Sequence, residues 1–390
     1  MPVAKDFFSE PKARSLDKLG LLGGYLKPLS FKLGSTCGPR RPWKRVLIVD
    51  GFAGKGAYAP DAGGRIQDGS PLIAAKWAKQ LQLDRRYPVV RCINVEADAN
   101  HFAELERNLA PWRDVAIALR GEFSDHADDI VDMIGKDPAL IFLDPFGVKG
   151  IEMDIIEKLL DRGASTKTEL LIHFSDKTFK RMAGNLSENA TRQAVGVKSA
   201  NSKVLQLDKV VGTPMLRGIW NSPEFDNDRA MDQIAAFYLS ELRRRIGFAN
   251  QILMRDNHVD AAAYRLVFCT GSPHGVEQVS HLAHRYETEL KDRARPGQID
   301  FFSNQEDRQN LTRLRDRIQA LGLRHKLIAA QDLRHLLVPE LFGLYSTSDY
   351  AKAIRELVAT GIIERGNAIG IKDDERLRFI EPAQGSLLEA

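Results

Sequence analysis

Residues Val46 to Gly56 read VLIVDGFAGKG. Val46 to Val49 is a short apolar, β-branched run, which suits a strand buried on both faces, as in a parallel sheet. The run stops at Asp50 and turns through Gly51, Phe52, Ala53, Gly54, Lys55 and Gly56. Glycines at that spacing let the backbone bend sharply and let a ligand lie against bare main chain. A phosphate loop of the form G-x-x-x-x-G-K-[ST] is excluded, because Lys55 sits between two glycines and no Ser or Thr follows it. The pattern is D-x-F-x-G-x-G.

Outward from this turn, helix and strand alternate. Ser70-Pro71 opens a helix, PLIAAKWAKQLQ, with Ser70 as N-cap and Pro71 at the first helical position. Its free N–H groups and positive dipole end point back toward the turn, a place for a ligand carboxylate. Val89 to Val95 is a second strand and ends in Glu96, an acid placed to accept hydrogen bonds from a ribose diol. Ala99 to Leu109 is an amphipathic helix and Val115 to Leu119 a third strand. Glu122 and Phe123 leave that strand's C-terminal edge, where a ligand's adenine ring is expected. Asp125, His126, Asp128 and Asp129 read as an acid-rich helix N-terminus rather than a metal cluster. Ala139 to Leu143 (ALIFL) is the fourth strand and runs into Asp144-Pro145-Phe146-Gly147. Ile151 to Leu160 is the next helix and Glu169 to Phe174 the fifth strand. Ser175 to Phe225 is long and polar, either a substrate-facing insertion or a disordered loop. Within it Lys177, Lys180, Arg181 and Arg192 beside Phe179 mix phosphate-binding and base-stacking chemistry, or form a solvated charged helix. A helix over Asp226 to Ile246 and an antiparallel pair, Gln251 to Arg255 with Tyr264 to Thr270, close the sheet.

The flanks are simpler. Residues 1–14 read as an arm, and Ser15 to Leu29 as a helix with Leu16, Leu19, Leu22, Tyr25, Leu26 and Leu29 at helical spacing and Ser15 as N-cap. Arg40, Arg41, Lys44 and Arg45 read as a solvated basic turn. A helix over His274 to Ala294 and a linker at Gln298 to Gln305 put a domain boundary near residue 300. Helices over 308–321, 330–336 and 348–360, the last capped by Ser346 or Ser348, precede short strands at 369–371 and 377–379. That is the pattern of a winged helix-turn-helix, which docks on nucleic acid or on protein; its third helix carries only Lys352 and Arg355.

The 390 residues are 43% hydrophobic and 28% charged, which describes folded, soluble domains rather than a disordered chain. A formal net charge of +4 is a mild basic bias, compatible with nucleic acid but no evidence for it. Cys37, Cys92 and Cys269 are far apart, and the last two lie in apolar runs, so they read as core residues and not as disulfide partners. No apolar stretch approaches the ~20 residues needed to span a bilayer. The first residues lack the apolar core of a signal peptide. A cytoplasmic protein is expected.

D-x-F-x-G-x-G resembles the cofactor loop of Rossmann-type methyltransferases, whose ligand is S-adenosylmethionine. On that resemblance Asp50, Gly51, Phe52, Ala53, Gly54, Gly56, Ser70, Glu96, Glu122 and Phe123 form the cofactor set. Asp144, Pro145 and Phe146 form the catalytic set. An Asp, then Pro, then an aromatic at the tip of the neighbouring strand is how methyltransferases acting on exocyclic amines build their site. The acid and nearby carbonyls accept hydrogen bonds from the NH2 group, and the aromatic ring stacks on the base. DPFG also resembles the active-site motif of tRNA guanine-N2 methyltransferases. The expected fold is α/β, a Rossmann-like class I methyltransferase sheet with helices on both faces over residues 1–300. A winged-helix-like α+β domain is expected over 301–390.

The N-terminal helix LDKLGLLGGYL, then DGFAGKG, GSPLIA, NVEAD, GEFSDHADDI, IFLDPFGVKG and LLIHFSDKTFKR together resemble the three-Cys-motif partner protein family. The first 180 residues or so carry the likeness strongly and the tail loosely. Where that family often has Asn-Phe-Met-Asp after the fifth strand, this chain has His173-Phe174-Ser175-Asp176. The resemblance implies a partner with a three-cysteine motif, of the iron–sulfur or radical type. Two functions compete. One is S-adenosylmethionine-dependent N-methylation of a base in DNA or RNA. The other is a non-catalytic subunit that binds cofactor or nucleic acid beside that partner. A metal hydrolase built on the Asp125 to Asp129 acids is a remote third.

Overall fold

A computed structural model describes residues 13–34, 37, 42–61, 63–84, 87–162, 167–183, 205–214, 216–256, 262–294, 303–365 and 371–380. They form two compact units, 1–271 and 272–390. The division falls before the helix Pro273–Ala294 and not near residue 300, because that helix packs on the helix Ala330–Leu337.

In the first unit seven strands form one sheet: β1 (Arg45–Asp50), β2 (Val89–Glu96), β3 (Ala116–Arg120), β4 (Ala139–Leu143), β5 (Thr168–Phe174), β6 (Phe248–Met254) and β7 (Tyr264–Thr270). Their spatial order is β3-β2-β1-β4-β5-β7-β6. The first five are parallel, and β7 runs antiparallel between β5 and β6. This is the Rossmann-like class I methyltransferase sheet that the strand reading anticipates. β6 starts at Phe248, three residues before the expected Gln251, and pairs with β7 along its whole length.

The register of β1 explains its unbroken apolar run. Leu47 and Val49 pack with Ile93, Val95, Ile141 and Leu143 against α4 (Phe123–Ile134) and α5 (Met153–Leu160), through Ile130 and Ile156. Val46 and Ile48, equally buried, face the other way. That side carries α2 (Ser70–Gln82), α3 (Ala99–Leu109) and α1 (Ala13–Gly34), which packs on α2. α1 runs past Pro28 to Gly34, so Ser15 lies inside its first turns and is not its N-cap. Gly69 caps α2, and Ser70 is the first helical residue with no capping bond of its own.

The segment after β5 forms α6 (Asp176–Ala183), a helix over residues 205–211 and a short helix Leu216–Trp220. Arg192 and the Asn-rich stretch around it lie outside the described residues, as do Arg40, Arg41 and residues 1–12. Phe179 offers no base-stacking face. Its ring is 0% exposed and stacks on Phe174 with centroids 4.5 Å apart, because α6 amphipathicity turns it into the core. Cys37, Cys92 and Cys269 are buried, and none of them is in a disulfide among the described residues.

The second unit runs helix Pro273–Ala294, helix Ser303–His325, β8 (Leu327–Ala329), helix Ala330–Leu337, helix Thr347–Ala359, β9 (Ile363–Glu364) and β10 (Arg376–Phe379). Its sheet order is β8-β10-β9, all antiparallel. A capping box fixes the start of Thr347–Ala359: the Ser346 hydroxyl accepts from Asp349 N at 3.3 Å, and Asp349 Oδ2 accepts from Ser346 N at 2.8 Å. Of the two Ser residues considered for that cap, Ser346 fills it. β8 has no counterpart in the sequence reading, since three residues are too few for a period to show.

One buried ion pair ties α6 to β7. Arg265 donates from Nε to Asp176 Oδ1 at 3.0 Å and from Nη2 to Asp176 Oδ2 at 2.9 Å, with side chains only 4% and 2% exposed. Removing one partner of such a pair strands a charge in the core. Arg265→Met is therefore expected to destabilise the protein by about 3–5 kcal/mol, read as a lower urea midpoint; a loss under about 1 kcal/mol would mean that water reaches Asp176 in the variant.

Candidate functional site

Parallel pairing of β1 with β4 sets Asp50 opposite Phe142, and Gly51 N donates to Phe142 O at 2.9 Å. The turn after Asp50 and the Asp144-Pro145-Phe146 turn therefore leave the same sheet edge side by side. Between them and α1 lies an open cleft. It is lined by Phe52, Ala53, Gly56 and Ser70 from the cofactor set and Asp144 and Phe146 from the catalytic set. Lys18, Leu19, Ala57, Tyr58 and Gly69 complete the wall.

The turn is built for a tight bend and close packing. Gly54 and Gly56 adopt positive φ of 59° and 81°. A Cβ at Gly51 would meet Leu143 and Phe123 side-chain carbons at 2.8 Å. Glu96 braces the bend: its Oε2 accepts from Gly54 N and its Oε1 from Asp98 N, both at 2.7 Å. Asn108 holds Lys55 O at 2.7 Å. The loop after it closes on itself, with Gly69 N donating to Gly56 O at 2.9 Å, so the first turn of α2 is delivered back to the glycines.

Not every expected residue reaches the cleft. Asp50, Gly51, Gly54, Glu96, Glu122 and Phe123 of the cofactor set and Pro145 of the catalytic set are not among its lining residues. Phe123 is 1% exposed and sits in the core beneath Gly51, 6.0 Å from the Phe52 ring, so it supports the turn and presents no ring to a ligand. Glu122 pairs with Lys149 at 3.0 Å. Asp125 lies in the first turn of α4, and His126 Nε2 meets Arg120 O at 3.0 Å.

Two acids at this sheet edge stand in opposite electrostatic states: Asp50, buried behind the turn, and Asp144, half-buried in the cleft wall. Burial pushes the Asp50 carboxyl up to about 7; Ser70 and the Phe52 N–H favour its charged form, Asp144 opposes it and Lys18 favours it. Asp50 Oδ1 accepts from Phe52 N at 3.1 Å, while Oδ2 is buried with no hydrogen-bond partner among the described residues. Burial also works against the charge on Asp144, but the Lys18 ammonium and His173 outweigh it and hold that carboxyl at about 2.

Lys18, His173 and Tyr264 were not among the expected site residues. Lys18 Nζ, from α1, donates to Asp144 Oδ2, and lies 5.8 Å and 5.9 Å from the ring centres of Phe142 and Tyr264. His173 Nδ1 is 3.0 Å from Asp144 Oδ1 and 3.3 Å from Pro145 O, and its ring meets Tyr264 edge-on at 4.3 Å. Tyr264 in turn donates to Arg14 O at 2.9 Å. A signal for Lys18 exists in the sequence: it falls within the stripe Ser15, Leu19, Leu22, Tyr25 and Leu26 that α1 buries, where a lysine needs an anionic partner.

No family model matches the chain, and no curated protein matches it. Solved structures similar to it include a protein of Legionella pneumophila, 9% identical, with a TM-score of 0.39, over 72% of this chain and 92% of that one. Another is an O-methyltransferase of Bacillus cereus in complex with SAH, 14% identical, TM-score 0.30, over 67% and 92%. A third is the O-methyltransferase TomG of Streptomyces achromogenes in complex with SAM, 11% identical, TM-score 0.31, over 68% and 92%.

The raised Asp50 pKa has a defined pH signature. An acid whose folded pKa lies above its unfolded value of 3.8 costs nothing below about pH 4, and its penalty grows as pH rises toward 7. Asp50→Asn removes that penalty. Its stability relative to wild type is expected to improve between pH 5 and pH 8 by on the order of 3 kcal/mol, measured by urea unfolding at both pH values. A pH-independent difference would contradict the buried charge.

Proposed function

We propose that the chain is an S-adenosylmethionine-dependent N-methyltransferase acting on an exocyclic amine of a nucleobase in DNA or RNA. The observation that carries this reading is the single cleft into which the D-x-F-x-G-x-G turn and Asp144-Pro145-Phe146 both open. Its residues suit the cofactor. Asp50 Oδ2, buried without a partner among the described residues, is an acceptor for the ligand's ammonium. The free N–H groups at the start of α2, beside Gly69 and Ser70, suit a carboxylate. Glu96, held by two backbone N–H groups, keeps lone pairs for a ribose diol. When bound, S-adenosylmethionine supplies a methyl group already activated on a sulfonium.

The protein's task is then chiefly position. Asp144 and the Pro145 carbonyl are acceptors for an NH2 group, and Phe146, 66% exposed on the cleft wall, offers a face for a base to stack on. In this structure Lys18 already presents an amine nitrogen to Asp144. The acceptor must take its place at the same carboxylate.

We read the order from Ser303 onward, helix, strand, two helices and two strands, as a winged helix-turn-helix, with Arg376 and Arg378 exposed on its wing strand. A three-cysteine-motif protein is the partner we propose. The Lys18–Asp144 pair also favours a second reading, a non-catalytic subunit whose acid is used internally while chemistry belongs to that partner.

Calorimetry is expected to detect S-adenosylmethionine binding to the wild type, weakened about tenfold or more in Asp50→Ala, about 1.4 kcal/mol. Absence of binding to the wild type contradicts the cofactor assignment. Tritium from the labelled methyl donor is expected in DNA or RNA with the wild type and not with Asp144→Ala. Cofactor binding without transfer to either nucleic acid, in a protein that co-purifies with a three-cysteine partner, supports the second reading.

A further inference from the structure

The second unit holds a cluster that the methyl-transfer reading does not use. His274 and Glu277 are three residues apart on the helix Pro273–Ala294, hence one turn apart on the same face. His335 approaches them from the helix Ala330–Leu337. One ligand atom from each of the three lies within 4.8 Å of the others. The two imidazole rings meet edge-on with centres 4.4 Å apart, and His335 Nε2 is 3.1 Å from Glu277 Oε2. From this juxtaposition we propose that His274, Glu277 and His335 form a zinc site that joins the two helices.

Two imidazoles and a carboxylate are a nitrogen–oxygen donor set that zinc accepts, with water filling the fourth tetrahedral position. Ligand atoms around one zinc ion stand roughly 3.0–3.5 Å apart, given bonds of about 2.1 Å and tetrahedral angles. His335 Nε2 and Glu277 Oε2 already stand at 3.1 Å, and the His274 nitrogen, within 4.8 Å of both, closes the site by side-chain rotation. The surroundings fit as well. Arg334 Nε donates to Glu277 Oε1 at 2.7 Å, which orients the carboxylate from behind and leaves Oε2 toward the imidazoles. Arg334 Nη2 is itself held by Asp373 at 2.5 Å, so its charge is balanced by a second acid and does not oppose a cation at Oε2. Glu277 and His335 side chains are 11% and 13% exposed, which lets an ion in from solvent while keeping bulk water from competing at every position.

The test uses the full chain after removal of metal with a chelator. Titration with zinc chloride by calorimetry is expected to show one equivalent bound, with a rise in melting temperature. His274→Ala and His335→Ala are each expected to weaken that binding at least tenfold. Cobalt(II) added to the wild type is expected to give the intense visible absorption of a four-coordinate ion, a readout that needs no variant to fold. Only the weak absorption of hydrated cobalt, or zinc bound equally by wild type and a folded His274→Ala protein, would overturn the proposal.

Discussion

The parallel pairing of β1 with β4 is the constraint from which the site follows. Once Val49 and Asp50 are in register with Ile141 and Phe142, the next residues of both strands must emerge at one edge of the sheet. That crevice beyond the carboxyl ends of parallel strands is where open α/β sheets hold their ligands. Glu96 from the end of β2 braces the turn, while Gly69 and Ser70 from the first turn of α2 and Lys18 from α1 narrow the crevice.

The two acids at that crevice show how environment divides identical side chains. Burial outweighs the Ser70 hydroxyl and the Phe52 N–H that favour the charge on Asp50, and its charged form is disfavoured. Asp144 is half-buried, and an ammonium and an imidazole on its two oxygens keep it ionised. A cationic group placed against Asp50 Oδ2 would relieve the cost there, whereas Asp144 is already compensated and must exchange one partner for another. On the function we propose, the turn binds and the D-P-F tip exchanges.

Much of this was legible in the residues because Val46–Val49 of β1 and Ala139–Leu143 of β4 are short, uninterrupted apolar runs followed by an acid, and such runs have few alternatives to a buried strand. Order along the chain then fixed which turns would meet. What escaped was long-range. Glu122 and Phe123 sit at the right edge, but α4 starts at Phe123 and amphipathicity draws its ring under Gly51, which no linear pattern separates from an adenine contact. Phe179 failed in the same way. Lys18, His173 and Tyr264 come from α1, β5 and β7, some 90 to 250 residues apart in sequence, and only the sheet order brings them to Asp144. A buried lysine in an apolar stripe was the one local hint.

The most direct measurement is a crystal structure of the chain grown with S-adenosylhomocysteine. The account predicts the ligand's amino-acid end against Asp50 and the start of α2, with its sulfur facing Asp144 across the cleft. A ligand bound at another face of the molecule, or Asp50 Oδ2 still without a partner beside a ligand that occupies the cleft, would contradict it.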